Sequence, residues 1–145
     1  MYEAYRAYFA FMEQLGKALD QLTELAKEKT AAVRRDDLLA VDSCMKQEQA
    51  LGLSLRSMDK KRDALLADLG LTNVTLSGLA QQCPEEIRYE AKQAADRLRE
   101  RYELYRSASD VARTTLEVNL HQIEKMIADS AAVAPGEGTI ADIRA

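Results

Sequence analysis

The chain has 145 residues, 47% apolar and 30% charged, with a formal net charge of −4, six glycines, two prolines and no tryptophan. That length and apolar content allow a buried core, and an Ala, Leu, Glu, Lys, Arg and Gln excess over Gly and Pro points to long helices. The acid excess excludes nucleic acid as the main partner, because phosphate neutralisation needs clustered positive charge.

The chain opens with MYEAYRAYFAFMEQL, which carries Glu3 and no uninterrupted apolar run. It is therefore expected to be neither a signal peptide nor a membrane span. A first helix is predicted over residues 2–33, where Tyr5, Tyr8, Met12, Leu15, Leu19, Leu22, Ala26 and Val33 hold a 3-4 repeat. Lys29 fills the one remaining site of this seam. Tyr2, Phe9 and Phe11 fall off it and are expected to pack at the open end of a bundle, with a second docking patch as the alternative. Arg34 and Arg35 suit the C-terminal end of the helix dipole, and Asp36 or Asp37 offers the next N-cap.

A second helix is predicted from there to about residue 69. Cys44, Leu51, Leu55, Met58, Leu65 and Leu69 keep the spacing, but Glu48 and Arg62 occupy seam positions, as happens where a bundle splays or its seam drifts. The run Lys60-Lys61-Arg62 is followed by Asp63, the pattern of a solvated helix surface. Gly70 fits the position just past the helix end. Cys44 and Cys83, with no CxxC spacing, read as small buried apolar residues in a reducing compartment.

Residues 71–83 form the short connector, with Thr75 placed to cap a single turn. Pro84 followed by Glu85 and Glu86 marks the start of a third helix. Its seam runs through Leu98, Tyr102, Tyr105, Ser109, Ala112, Leu116, Asn119, Ile123, Met126 and Ser130 to about residue 132. Pro135-Gly136 ends the periodicity. The expected organisation is one helical-bundle domain over 1–132 and a flexible C-terminal tail over 133–145.

Short connections place consecutive helices antiparallel. The fold class is all-α: an elongated antiparallel three-helix bundle, or coiled coil, with a long C-terminal helix after a short connector. Helices of roughly 33 residues span about 50 Å, whereas a third helix of roughly 49 residues spans about 73 Å. It therefore passes the bend between the first two helices near Glu117 and overhangs the bundle. Leu116, Leu120, Ile123, Met126 and Ile127 in this stretch are the candidate partner-binding residues, since such an exposed apolar patch marks an interaction surface. Three occupants are open: another protein, a second copy in a homo-oligomer, or the bundle itself if the helix breaks after Asn119 and folds back.

No catalytic constellation appears. His121 has Glu117 and Glu124 within one turn but no second histidine or cysteine to complete a metal site. Paired acids sit at helix starts, where the dipole explains them, and no P-loop, GxGxxG or GxSxG element is present. No enzyme activity, cofactor or metal is expected.

The run EKTAAVRRDDLLAVDSCMKQEQALGLSLRSMDKKRDALLADLGL resembles the central pattern of the FlgN family of flagellar export chaperones. The matching residues are Glu28-Lys29, Asp37-Leu38, Glu48 with Leu51, Arg62, Leu65-Leu66 and Leu69-Gly70-Leu71, with Asn119-Leu120 similar to the family's Asn-containing C-terminal helix. The chain departs from the family in having Thr115 and Leu116 where Asn often recurs one turn earlier. The resemblance implies a cytoplasmic, non-enzymatic chaperone of flagellar type III export. Its partners are expected to be hook-associated proteins as cargo, held through the C-terminal helix and kept unassembled, and the export apparatus that receives them. No nucleic acid and no membrane insertion belong to that expectation.

Overall fold

A computed structural model describes residues 1–131; the expected flexible tail lies outside the described residues. Four helices follow in order, α1 at Glu3–Arg34, α2 at Leu38–Asp68, α3 at Leu79–Gln82 and α4 at Arg88–Ala131. A single 3-10 turn, Glu85–Ile87, leads from Pro84 into α4. Proline thus stands just before the first turn rather than inside it. The three long helices run antiparallel in succession, as expected, so α4 returns alongside α1 and parallel to it.

The two bends are built by the same device. At the first, Asp36 adopts a left-handed conformation (φ 57°), and the amides of Asp36 and Asp37 donate to the carbonyls of Val33 and Ala32 at 3.1 and 2.9 Å. These bonds satisfy carbonyls that the helix end leaves open. The Asp37 carboxylate then accepts from the Ala40 amide at 3.1 Å and starts α2. At the second, Gly70 takes φ 69°, and the amides of Gly70 and Leu71 close onto Ala67 and Leu66 at 3.0 and 2.9 Å. In the connector, the Thr75 hydroxyl accepts from the Gly78 amide at 3.1 Å, the cap its position suggests.

The core is organised around α1, which has α2 on one side and α4 on the other. That is why α1 buries more than one seam: Phe11, Leu25 and Ala32 are buried beside Tyr8, Met12, Leu19, Leu22, Ala26 and Val33. The aromatic start is part of this core. Phe11, only 3% exposed, stacks on Tyr8 with ring centroids 6.3 Å apart, and the Lys61 ammonium lies 5.7 Å from its ring centre. Tyr2 and Phe9 are half-buried against the same cluster. Thr23 and Thr30 enter the interior because their hydroxyls donate to the carbonyls four residues back, at 2.8 and 3.0 Å.

α2 is held more loosely. Only Val41, Cys44 and Leu66 are buried in it, and among the described residues α2 and α4 scarcely approach one another. Its two polar seam residues have separate fates. Glu48 accepts a 2.8 Å charge-assisted bond from Lys29, the polar seam residue of α1. Arg62 stays within its own helix, 3.7 Å from Asp59 and 3.6 Å from Asp63.

α1 and α4 share a fixed register. Tyr2 donates to Glu86, Arg6 to Glu90 and Arg97 to Glu13, each pair 84 residues apart, and Asn119 donates to Asp36 across 83. A nearly constant offset over the whole of α1 is the mark of two parallel helices wound in step, and 84 is a whole number of heptads.

Candidate functional site

The bond from the Asn119 side-chain amide to the Asp36 carboxylate, 3.3 Å long, fixes where α4 passes the first bend. The sequence places that crossing near Glu117, two residues earlier. α4 then continues as helix to Ala131 without a break after Asn119. Residues 120–131 rise about 18 Å past the bend at 1.5 Å per residue.

Leu116 sits at the last level of the bundle, half-buried against the small cluster of Ala32, Val33 and Val41. Among the described residues, no core cluster contains one beyond it. Of the other predicted contact residues, Leu120 and Ile127 are half-buried, while Ile123 is 37% and Met126 69% exposed. At 100° per residue, Leu116, Leu120, Ile123 and Ile127 fall within one narrow stripe and Met126 at its edge. That stripe continues the line by which α4 packs on α1.

The flank of this stripe changes character at the bend. Lys92, Arg99, Arg106 and Arg113 recur every seven residues beside the seam, and the same series continues as Leu120 and Ile127. Along the bundle the flank is basic; past it the flank is apolar. A helix with apolar residues at two positions per heptad packs along one seam, and a third such position widens the face enough to take another helix. The spacing was available in the sequence, but it acquires meaning only once Asn119 is known to mark the bend.

Two further apolar side chains stand at this end. Leu38 and Leu39, in the first turn of α2, are 75% and 85% exposed. Sequence reasoning did not count them as contact residues; the signal is the adjacency of two leucines directly after the Asp37 cap, since neighbours 100° apart do not share one seam.

A concave feature lies over α1, between α2, the connector and α4. It is a cleft of about 560 Å³ lined by Leu15, Leu19, Leu55, Leu66 and Tyr102, with Asp59, Arg62 and Asp63 on its α2 wall and the connector, from Asn73 to Leu79, closing the end next to Tyr8 and Met12. Tyr102 is a seam residue of α4, yet 51% exposed, because α2 stands away from it.

Neither surface carries reactive chemistry. Cys44 and Cys83 are buried free thiols, and burial raises the pKa of both, which disfavours the nucleophilic thiolate. His121 is exposed. Among the described residues no group of His, Cys, Asp or Glu side chains could hold a metal ion, and no helix is long and apolar enough to cross a membrane. The Tyr2–Glu86 bond at the far end of the molecule raises the tyrosine pKa by its hydrogen bond; the Glu86 carboxyl is lowered, first by its backbone hydrogen bond and then by Tyr2.

No curated protein and no solved structure matches the chain. The family model described as FlgN protein matches residues 1–129, which include all three long helices up to the end of the apolar stripe. With that span matched, the chain belongs to the FlgN family, whose members are non-enzymatic flagellar export chaperones for hook-associated proteins.

Proposed function

We propose that this protein works in the cytoplasm and holds hook-associated cargo through the free end of α4, with Leu116, Leu120, Ile123, Met126 and Ile127 as contact residues. The observation that carries the reading is the overhang: α4 outruns the bend at Asn119 and turns its flank apolar at Leu120 and Ile127. An amphipathic helix of the cargo would lie against this face, helix on helix. Burying the four side chains beyond Leu116 at roughly 25 cal/mol per Å² yields several kcal/mol before ordering costs, enough to keep a cargo segment from assembling. Delivery to the export apparatus would then follow without nucleotide or metal.

The test is co-purification with hook-associated proteins expressed in the same cells. Wild-type chain is expected to retain them, and Leu120→Asp with Ile127→Asp to lose them while keeping its circular dichroism and melting curve. A double variant that melts early would show these residues to be core and remove the site. Sedimentation of the chain alone addresses self-association: a stable oligomer without cargo would assign the stripe to a second copy.

A further inference from the structure

We propose that Leu38, in the first turn of α2, forms a second wall of the cargo seat, so that the cargo's amphipathic helix is held between α4 and α2 rather than on α4 alone. The wall presupposes that the end of α4 is the seat. Size is the first reason for it. The five contact residues of the α4 end lie along about 18 Å of one helix, whereas a specific interface engages about 20–30 residues on each side. A helix lying there has one flank on α4 and the other open. A wall for the open flank has to come from the same pole, where two exposed leucines open α2, Leu38 at 75% and Leu39 at 85%.

Helix geometry separates these two leucines. Asp59 and Leu66 of α2 line the cleft that Leu98 and Tyr102 of α4 also line. The heptad row that contains them runs on through Gly52 and Met45 to Leu38, and such a row keeps to one side of a coiled helix. Leu38 therefore stands on the α4 side of α2. Leu39, 100° further round, lies nearly opposite Val41 and Cys44, the buried residues at that end of the helix. Because a helical Cβ tilts toward the helix N-terminus, and α2 begins at the pole that α4 overshoots, the Leu38 side chain leans over the bend toward the overhang. Asn119 meets Asp36 two residues before it, which sets Leu38 level with the turn of α4 that carries Leu116 and Leu120. The acids around Leu38 are already answered: Asp36 by Asn119 at 3.3 Å, Asp37 by Arg35 at 3.4 Å, and Asp42 by Lys46 at 3.0 Å. What this corner leaves uncovered is leucine, and an apolar flank of the cargo helix covers it where a charged flank would be desolvated without a partner.

The test uses the full chain and a full-length hook-associated protein that co-purifies with it, titrated by calorimetry. Leu38→Ser is expected to weaken binding about tenfold through the apolar contact it removes, and Leu39→Ser by less than about twofold. Both variants should keep the wild-type melting curve, because neither leucine is buried. Equal effects at the two positions, or none at Leu38 while Leu120→Asp with Ile127→Asp abolishes binding, would overturn the second wall and leave the α4 seat standing. Normal binding by the Leu120 and Ile127 double variant would remove the seat itself, and the wall with it. An early melt of Leu38→Ser would place the residue in the core and overturn the wall as well. So would a change in the sedimentation of the chain alone on that substitution, which would assign Leu38 to a contact with a second copy.

Discussion

Arg101 of α4 lies across α1 directly over Gly16, so close that a β-carbon there would meet its Cδ at 2.8 Å. From that position its guanidinium reaches Glu13 at 3.1 Å and Asp20 at 3.4 Å, one turn to either side of the glycine. Gly16 sits in a helix interior where alanine is worth up to about 1 kcal/mol more, so its presence answers to the arginine above it. Gly16→Ala is expected to change stability by less than about 0.5 kcal/mol, because the helix gain is offset by displacing Arg101 from its two partners. In an Arg101→Ala background the same change should stabilise by about 1 kcal/mol. Urea unfolding of the four proteins measures both; equal gains in the two backgrounds would show that the arginine is not pinned at the glycine.

Lys29 and Glu48 meet at 2.8 Å with side chains only 16% and 21% exposed. Removing one partner leaves the other charge half-desolvated, so Lys29→Met is expected to cost about 1–3 kcal/mol. Lys29→Met combined with Glu48→Leu should return to within about 1 kcal/mol of wild type, since two apolar side chains suit that seam. The readout is the urea midpoint. A double variant as unstable as the single one would mean that the pair holds a geometry which packing cannot replace.

Leu116 and Met126 occupy the same helix but belong to different environments. Leu116→Ala is expected to destabilise by about 1–2 kcal/mol, less than for a fully buried leucine, because the residue is half-covered by the Val33 and Val41 cluster. Met126→Ala and Ile123→Asp should shift stability by less than about 0.5 kcal/mol. Thermal melts of the three variants check the division between bundle and free end, and a large loss from Ile123→Asp would place that residue inside the fold.

Two glycines should respond with opposite sign. A β-carbon at Gly52 meets nothing within 4 Å in the middle of α2, so Gly52→Ala is expected to stabilise by up to about 1 kcal/mol. At Gly70 space is equally open, but φ is +69°, and Gly70→Ala should cost about 1–2 kcal/mol in backbone strain alone. Chemical denaturation resolves the contrast. Equal effects would mean that the α2 terminus does not depend on its left-handed residue.

Most of the fold is written in periodicity and punctuation. The 3-4 repeat places the α1 seam from Tyr8 to Val33, Asp37 and Gly70 mark the ends of α2, and helix lengths alone put the crossing of α4 within two residues of Asn119. Other features were not legible, for a common physical reason. Spacing tells which face of a helix is buried but not what faces it across the chain. The meeting of Lys29 with Glu48, the second buried stripe that brings Phe11 inside, and the exposure of Tyr102 all depend on how far α2 stands from α4. The basic row at Lys92, Arg99 and Arg106 was visible as a spacing, yet its relation to the cleft needed the third dimension.

The shared direction of α1 and α4 gives the molecule two poles. The end of α4 projects beyond one of them, while Tyr2, Glu86 and the exposed Tyr89 crown the other, about 48 Å away along α1. On the proposed reading, a cargo helix lying on the first pole makes no contact with the second. On that reading, a second contact made at the far tip would not have to displace the cargo from its own seat.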